Sequence, residues 1–454
     1  MLVVAVLFRF NVTRPVRPIA RRVITGVAAI WVVLVAFGAM IYLLTGSVST
    51  IDGALLESAA GFTTTAVTIL DPTSVSRSIL LWRAATSWIG GLMVVVVSVA
   101  VMPDVLRNLD LIGYKSLQRG RGIASNSRAG FHRVLLIYVG FTVLCVLAYL
   151  LAGLEFIEAV VVGLGTVSTG GFAPHLDSMA GYDASVLIVA TLVMLLTGSG
   201  VFVLWWFIRG RMRSLLSSQE LRTYLLILAG ATAIIASTGE ADLGEALFTV
   251  VSTFSTTGYA IVDWTVWPAE SIVVLMIAAV VGSMLGSVGG GIQVARLSLL
   301  LGYARRELRR LLNPHAIVLV RQDGLRVPEQ TLMNAGSHQI AQFALIGFGA
   351  IALGFTGLSL TGSLWGALSS VSNLGPAVGD IGPFGDVRDL ARPSRALMVL
   401  LMLFGRVAVL PLLTFLSFVL QWPRQLLRQL RLVGWQLLRR SKYRTANGDG
   451  VEHW

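Results

Sequence analysis

Residues 245–259 read EALFTVVSTFSTTGY, and the same pattern recurs three more times. It is GALLESAAGFTTTAV at 53–67, EAVVVGLGTVSTGGF at 158–172 and GSLWGALSSVSNLGP at 362–376. In each, a short apolar stretch runs into a turn of serine, threonine and glycine. Thirteen positions after the opening residue stand Ala66, Gly171, Gly258 and Gly375. The triplets before them are Thr63-Thr64-Thr65, Ser168-Thr169-Gly170, Ser255-Thr256-Thr257 and Ser372-Asn373-Leu374. A fixed internal spacing that recurs along a chain marks a repeated structural unit.

What flanks these stretches sets their environment. The chain has 454 residues, of which 55% are hydrophobic and 13% charged, with a mean hydropathy of +0.79. Soluble chains carry about 25% charged residues. The apolar residues gather in long runs such as 24–44, 134–151 and 187–208. Each matches the ~20 residues of helix that cross a hydrocarbon core. This composition excludes a soluble enzyme, a nucleic-acid binder and a secreted domain. It predicts spans at 23–45 and 77–103, 132–152 and 185–208, 222–239 and 270–301, and 337–357 and 394–420. The segment between each pair is too short to cross and is expected to be re-entrant. Irregular backbone at that depth is tolerated only against protein or a water-filled cavity.

Charge gives an independent count. Of 35 basic residues, 29 fall before Val23, at 107–133, 209–222, 296–326 and 424–444, whereas 17 of 23 acidic residues lie in the intervening segments. Positive residues stay on the cytoplasmic side of short loops. Both termini are basic, so both are expected in the cytoplasm and the number of spans is even. Eight satisfies both arguments. No nucleic-acid partner is needed to explain the net charge of +12.

Four polar, glycine-bearing turns at the ends of re-entrant helices suit a cation pore. Such loops can present rings of carbonyl dipoles that replace an ion's hydration shell. Hydroxyls of Thr63, Ser168, Ser255 and Ser372 would add a ring at the inner end, and Glu57, Glu158, Asp263 and Asp380 an acidic outer vestibule. The plainer alternative is that small residues here only let helices pack closely. Cys145 stands alone and reads as a packing residue, and the five histidines show no ligand spacing.

Several motifs together resemble the Trk/Ktr/HKT superfamily of potassium transporters. They are GFTTT at 61–65, SWIGGLMVVVVSVAVMP at 87–103, TVSTGGF at 166–172, FSTTGY at 254–259, SNLGP at 372–376 and LMLFGR at 401–406. The likeness covers almost all of residues 20–420. It implies an all-α polytopic membrane protein with four M1–P–M2 repeats, eight transmembrane helices and four re-entrant pore loops around one central pore. The repeats would occupy 23–105, 128–210, 219–310 and 336–420, between a cytoplasmic leader at 1–22 and a basic tail at 421–454. The resemblance implies no enzyme and no cofactor. It implies potassium uptake across a bacterial inner (plasma) membrane, with K+ as the transported ion and the four triplets plus Ala66, Gly171, Gly258 and Gly375 as selectivity filter. K+ would be held at Thr64, Thr65, Thr169, Gly170, Thr256, Thr257, Asn373 and Leu374. It further implies a homodimer on a cytoplasmic ring of nucleotide-binding (RCK-type) regulatory subunits.

Three features qualify the likeness. Alanine stands at 66 where the family implies glycine, and alanine resists positive φ. It is either a permissive change in a potassium filter or one that relaxes the filter toward sodium. Within GSMLGSVGGGIQVARL at 282–297, glycines at 282, 286, 289, 290 and 291 disfavour helix, each by up to ~1 kcal/mol relative to alanine. By resemblance a loop at 286–291 gates the pore, with Gly286, Gly289, Gly290, Gly291, Arg296 and Arg406 taking part. A simple kink is the alternative; a phosphate loop lacks its Lys-Ser/Thr. Arg406 sits mid-span, where an arginine costs about 2.5–3.5 kcal/mol unless it faces protein or water. The alternatives are a barrier in the pore and snorkelling to an interface. The tail at 423–444 reads as an amphipathic helix on membrane lipid or as a dimer or regulator contact. A substrate-coupled secondary transporter would instead need inverted repeats, and these repeats are parallel.

Overall fold

The computed structural model describes residues 18–98, 127–316, 318–323, 325–375, 378, 381–382 and 387–407. The chain divides into two compact units, Ile30–Val409 and Met1–Ala29 with Leu410–Trp454. Residues 18–29 of the second are helical; everything below concerns the first. The tail, most of the leader, Asp380 and the stretch 99–126 lie outside the described residues.

Fifteen α-helices are described, with one two-residue hairpin, β1 Arg321–Gln322 and β2 Leu325–Arg326. In order they are α1 Pro18–Leu44, α2 Ile51–Phe62, α3 Arg77–Val96, α4 Ser127–Leu151, α5 Phe156–Val167, α6 Ala184–Gly198 and α7 Val201–Ile208. Then come α8 Met212–Leu216, α9 Gln219–Ser237, α10 Leu243–Phe254, α11 Ala269–Val281, α12 Val294–Leu312, α13 Glu329–Phe355, α14 Leu360–Ser372 and α15 Arg392–Val407. Among the described residues, five helices are long and apolar enough to cross a membrane, and the bent pair α6–α7 makes a sixth. Their outward faces carry Val33, Leu44, Leu136, Leu144, Ile340 and Ile351, all exposed. The interior instead holds Glu57, Arg83 and many serines and threonines. Apolar outside and polar within is the arrangement that hydrocarbon solvent selects.

The short helices α2, α5, α10 and α14 have 12, 12, 12 and 13 residues. Local chemistry starts them: Thr50 and Ser359 cap α2 and α14, and Asp242 with Glu245 forms a capping box on α10. A capping box satisfies two of the amide donors a helix start leaves open. Their packing is cyclic. Helix α5 packs on α3 of the preceding unit, α10 on α6, α14 on α11, and α2 on α15. Each thus lies between helices of its own unit and one from the unit before it.

One predicted span is not continuous. The stretch 185–208 breaks after Gly198, and α6 and α7 meet at 102°. Gly200 takes φ +87, and the Val201 N–H, freed from its helix, donates to the Gly286 carbonyl at 3.2 Å. The span predicted at 270–301 does break, over 282–293, which is wider than the loop expected at 286–291.

Candidate functional site

Each short helix ends in the same capping turn. After α2, the Thr64 N–H donates to the Gly61 carbonyl and the Thr65 N–H to the Ala60 carbonyl, both at 2.8 Å. The second bond recurs from Gly170 to Gly165 (2.8 Å), Thr257 to Ser252 (2.9 Å) and Leu374 to Ser369 (3.0 Å). This turn needs a left-handed residue, usually glycine, sometimes asparagine. Here it is Thr64 (φ +57), Thr169 (+51), Thr256 (+58) and Asn373 (+51). A β-branched residue at positive φ is a genuine outlier, and such strain costs on the order of 1–3 kcal/mol per residue. Two positions on, the chain turns left-handed again at Ala66 (+56), Gly171 (+65), Gly258 (+81) and Gly375 (+113). Thr65, Gly170, Thr257 and Leu374 between them keep negative φ.

The four turns meet and close on themselves. A methyl group on Gly171 would collide with the Thr257 carbonyl and lie 3.3 Å from Cβ of Ala66. One on Gly258 would collide with the Leu374 carbonyl, and one on Gly375 would come within 2.9 Å of the Thr65 carbonyl. Asn373 Nδ2 donates to Thr65 Oγ1 at 3.0 Å. Turn 1 therefore touches turn 2, turn 2 touches turn 3, turn 3 touches turn 4, and turn 4 returns to turn 1. All sixteen predicted loop residues belong to this ring or its stems.

Three of the four hydroxyls in the predicted ring have their protons committed to backbone carbonyls. Thr63 Oγ1 donates to the Ala59 carbonyl at 2.6 Å, Ser168 Oγ to the Leu164 carbonyl at 2.7 Å, and Ser255 Oγ to the Ser252 carbonyl at 3.2 Å. A helical hydroxyl readily reaches back one turn, and giving up its proton in this way leaves the oxygen its acceptor lone pairs. Only Ser372 Oγ of that set is buried without a partner, and the next position supplies Thr64 Oγ1 and Thr169 Oγ1 in the same state.

The predicted acidic vestibule also changes. Glu57 is fully buried and receives Arg83 Nε at 2.8 Å. Glu158 receives the Tyr182 hydroxyl at 2.7 Å and lies 2.7 Å from His175 Nε2. Burial, and then the bond to Glu158, raise the Tyr182 phenol well above its ordinary pKa. Asp263 caps its own turn through Thr265 N–H at 3.0 Å. The first two carboxylates are paired groups, which a count of acidic residues cannot foresee.

The glycine segment 282–293 lies against turns 3 and 4. A methyl on Gly290 would collide with the Ser372 carbonyl, and the Gly290 N–H donates to Thr256 Oγ1 at 3.0 Å. A methyl on Gly289 would come within 2.6 Å of the Ser255 carbonyl. Arg406 Nη1 donates to the Val288 carbonyl at 2.8 Å, while its Nε and Nη2 are buried without partners. Arg296 lies in the first turn of α12, where its N–H donates to the Gln293 carbonyl at 3.0 Å, and its side-chain Nε is buried without a partner. Sequence reasoning missed two anchors of the segment. The Leu285 N–H donates to Glu220 Oε1 at 2.7 Å, and the Met284 N–H to the Gly198 carbonyl at 2.9 Å. The Gly-Ser-Gly at 198–200 was the available signal.

A family model described as "TrkH: Cation transport protein" matches residues 4–425. The chain belongs to the TrkH family. A Trk system potassium uptake protein TrkI of Halomonas elongata is 30% identical over 400 residues, covering 85% of this chain and 81% of the relative. TrkH of the same organism is 31% identical, covering 84% and 82%. TrkH of Escherichia coli is 28% identical, covering 86% and 84%. The crystal structure of the potassium transporter TrkH from Vibrio parahaemolyticus superposes with a TM-score of 0.78 over 90% of this chain and 86% of that one, at 23% identity. The TrkH family is one of transporters and not of enzymes.

Proposed function

We propose that this chain is the pore-forming subunit of a potassium uptake system, built as four M1–P–M2 repeats with eight spans in a bacterial inner membrane. Both termini face the cytoplasm. The single observation that carries this reading is the strained turn that recurs four times and closes into a ring. Residues of alternating φ sign rotate successive peptide planes against one another, which is what a backbone aiming its carbonyls at one axis requires, and rings of carbonyls replace the hydration shell of an ion. K+ is held by Thr64, Thr65, Thr169, Gly170, Thr256, Thr257, Asn373 and Leu374, with the hydroxyls of Thr63, Ser168, Ser255 and Ser372 at the inner end. Strain of this kind persists where the surrounding structure over-determines it, often at ligand clamps.

Below the ring, the segment 282–293 and Arg406 form the gate. The arginine holds the Val288 carbonyl and leaves two donors uncommitted. A fixed positive charge there is an electrostatic barrier to cations. The gate opens when that bond is released. The relatives' names place each of them in a Trk system; that this subunit works as a homodimer with a cytoplasmic RCK-type regulatory ring rests on the family resemblance alone.

The test is ion flux into proteoliposomes under an imposed potential. Potassium and rubidium should enter and sodium should be excluded; equal entry of all three would overturn the filter. Arg406→Ala should raise potassium flux, and a folded variant that conducts less would remove arginine from the gate. A sodium-favouring filter is the second reading. It is disfavoured because Ala66 already takes the left-handed backbone that glycine would supply.

A further inference from the structure

We infer that Arg83 and Glu57 form a specificity-determining brace that fixes the spacing between turns 1 and 2. The inference rests on the pore reading above. Among the described ion pairs, this is the one with both side chains almost wholly withdrawn from solvent, 2% and 0% exposed. Neither residue lies in a turn: Glu57 is on α2, nine positions before Ala66, and Arg83 is on α3.

Their hydrogen bonds converge on the backbone that leaves turn 1. Thr68, two residues after Ala66, donates its hydroxyl to Glu57 Oε2 at 2.8 Å. The Ile69 N–H donates to the same oxygen at 3.1 Å. Arg83 Nη2 donates to Thr68 Oγ1 at 2.9 Å, and the Leu70 N–H reaches that oxygen at 3.0 Å. Residues 68–70 are thereby tied to two helices at once. The guanidinium also lies over the ring of Phe172, 4.4 Å from its centroid. Phe172 directly follows Gly171, the left-handed residue of turn 2 that abuts Ala66. One arginine therefore holds turn 1 by hydrogen bonds and turn 2 by its π-face.

The chemistry explains why arginine is required. A planar fork can bond two oxygens in its plane while its face rests on an aromatic ring, and an ammonium cannot do both. The turns it joins include the one non-glycine member of the set at positions 66, 171, 258 and 375. Ala66 carries the only β-carbon at that level, so the gap between turns 1 and 2 is the one that side-chain bulk would open. Arg83 is a positioning residue: it touches no ion and acts through the two turns.

The test is the potassium-to-sodium flux ratio of the full-length protein in proteoliposomes. Arg83→Lys keeps the charge and loses the fork and the stacked face. The ratio should fall on the order of tenfold, the change that about 1.4 kcal/mol of differential binding produces, while potassium still enters. Phe172→Leu, which loses only the π-face, should lower the ratio less, and Phe172→Tyr should retain what leucine loses. A purely structural brace would change the yield or melting temperature and leave the ratio alone. An unaltered ratio in Arg83→Lys overturns the inference. If that variant does not fold, an unaltered ratio in Phe172→Leu overturns it instead. A native protein that fails to discriminate the two ions overturns the pore reading, which is a separate result.

Discussion

Turn 1 and turn 3 trace the same backbone and are held by opposite chemistry. Turn 3 has glycine at 258, and its support is neutral. Ser252 Oγ donates to the Tyr259 carbonyl at 2.7 Å, and the Tyr259 hydroxyl reaches the Val162 carbonyl at 3.3 Å. Turn 1 has alanine at 66 and, in the register of Ser252, Ala60, which has no hydroxyl to offer. Its support is the buried Glu57–Arg83 pair. A fourfold backbone motif therefore does not demand four copies of one side-chain scaffold. What must recur is the sequence of dihedral signs, and each repeat secures it with the residues it has.

The comparison can be broken most severely at Glu57. Glu57→Ala strands a buried guanidinium, and removing one partner of a buried pair costs about 3–5 kcal/mol. The loss should appear as a lower melting temperature in detergent; an unchanged one would mean that turn 1 does not depend on the pair. Next comes Gly258→Ala. It places on turn 3 the residue that turn 1 tolerates, yet it adds a collision with the Leu374 carbonyl to a left-handed strain of about 1–2 kcal/mol. Potassium flux should drop by an order of magnitude or more, whereas native-level flux would make the two turns interchangeable. Ser252→Ala leaves the Tyr259 carbonyl without its donor, at about 1–3 kcal/mol. Melting should fall by less than for Glu57→Ala, and an equal fall would erase the contrast. Ala66→Gly sharpens it from the other side. Relief of the left-handed methyl should stabilise by about 1 kcal/mol and leave the potassium-to-sodium ratio as it was. A sharper ratio would revive the relaxed-filter reading.

Much of this was legible in the residues. The thirteen-position spacing set the register of all four turns, because a capping turn and the residues after it must stay in step with the helix before them. The clustered glycines at 282–291 marked the broken helix, since so many glycines cannot remain helical. Other features were opaque for physical reasons. Threonine's own preferences argue against φ near +55, so the conformation of Thr64, Thr169 and Thr256 comes from tertiary packing and not from local propensity. The proton partners of the hydroxyls at Thr63, Ser168 and Ser255 were not foreseen, because a helical hydroxyl's nearest acceptor is its own preceding turn. Glu57 looked like a surface charge because its partner lies 26 residues away on another helix. The bend at Gly200 escaped notice because the apolar run on either side is long enough to hide a break.

The cyclic packing of the short helices has a consequence for assembly. Helix α2 is among the first elements made, yet one of its walls is α15, and Arg395 reaches Asp52 at 2.8 Å across 343 positions of chain. Contacts so distant in sequence must await the end of synthesis, and closing so long a loop is entropically costly. The first dipping segment therefore stays half-walled until the final repeat is in place. A chain cut short before Arg392 would keep all four turns but only three of the four contacts in the cycle of helices, leaving α2 without its α15 wall.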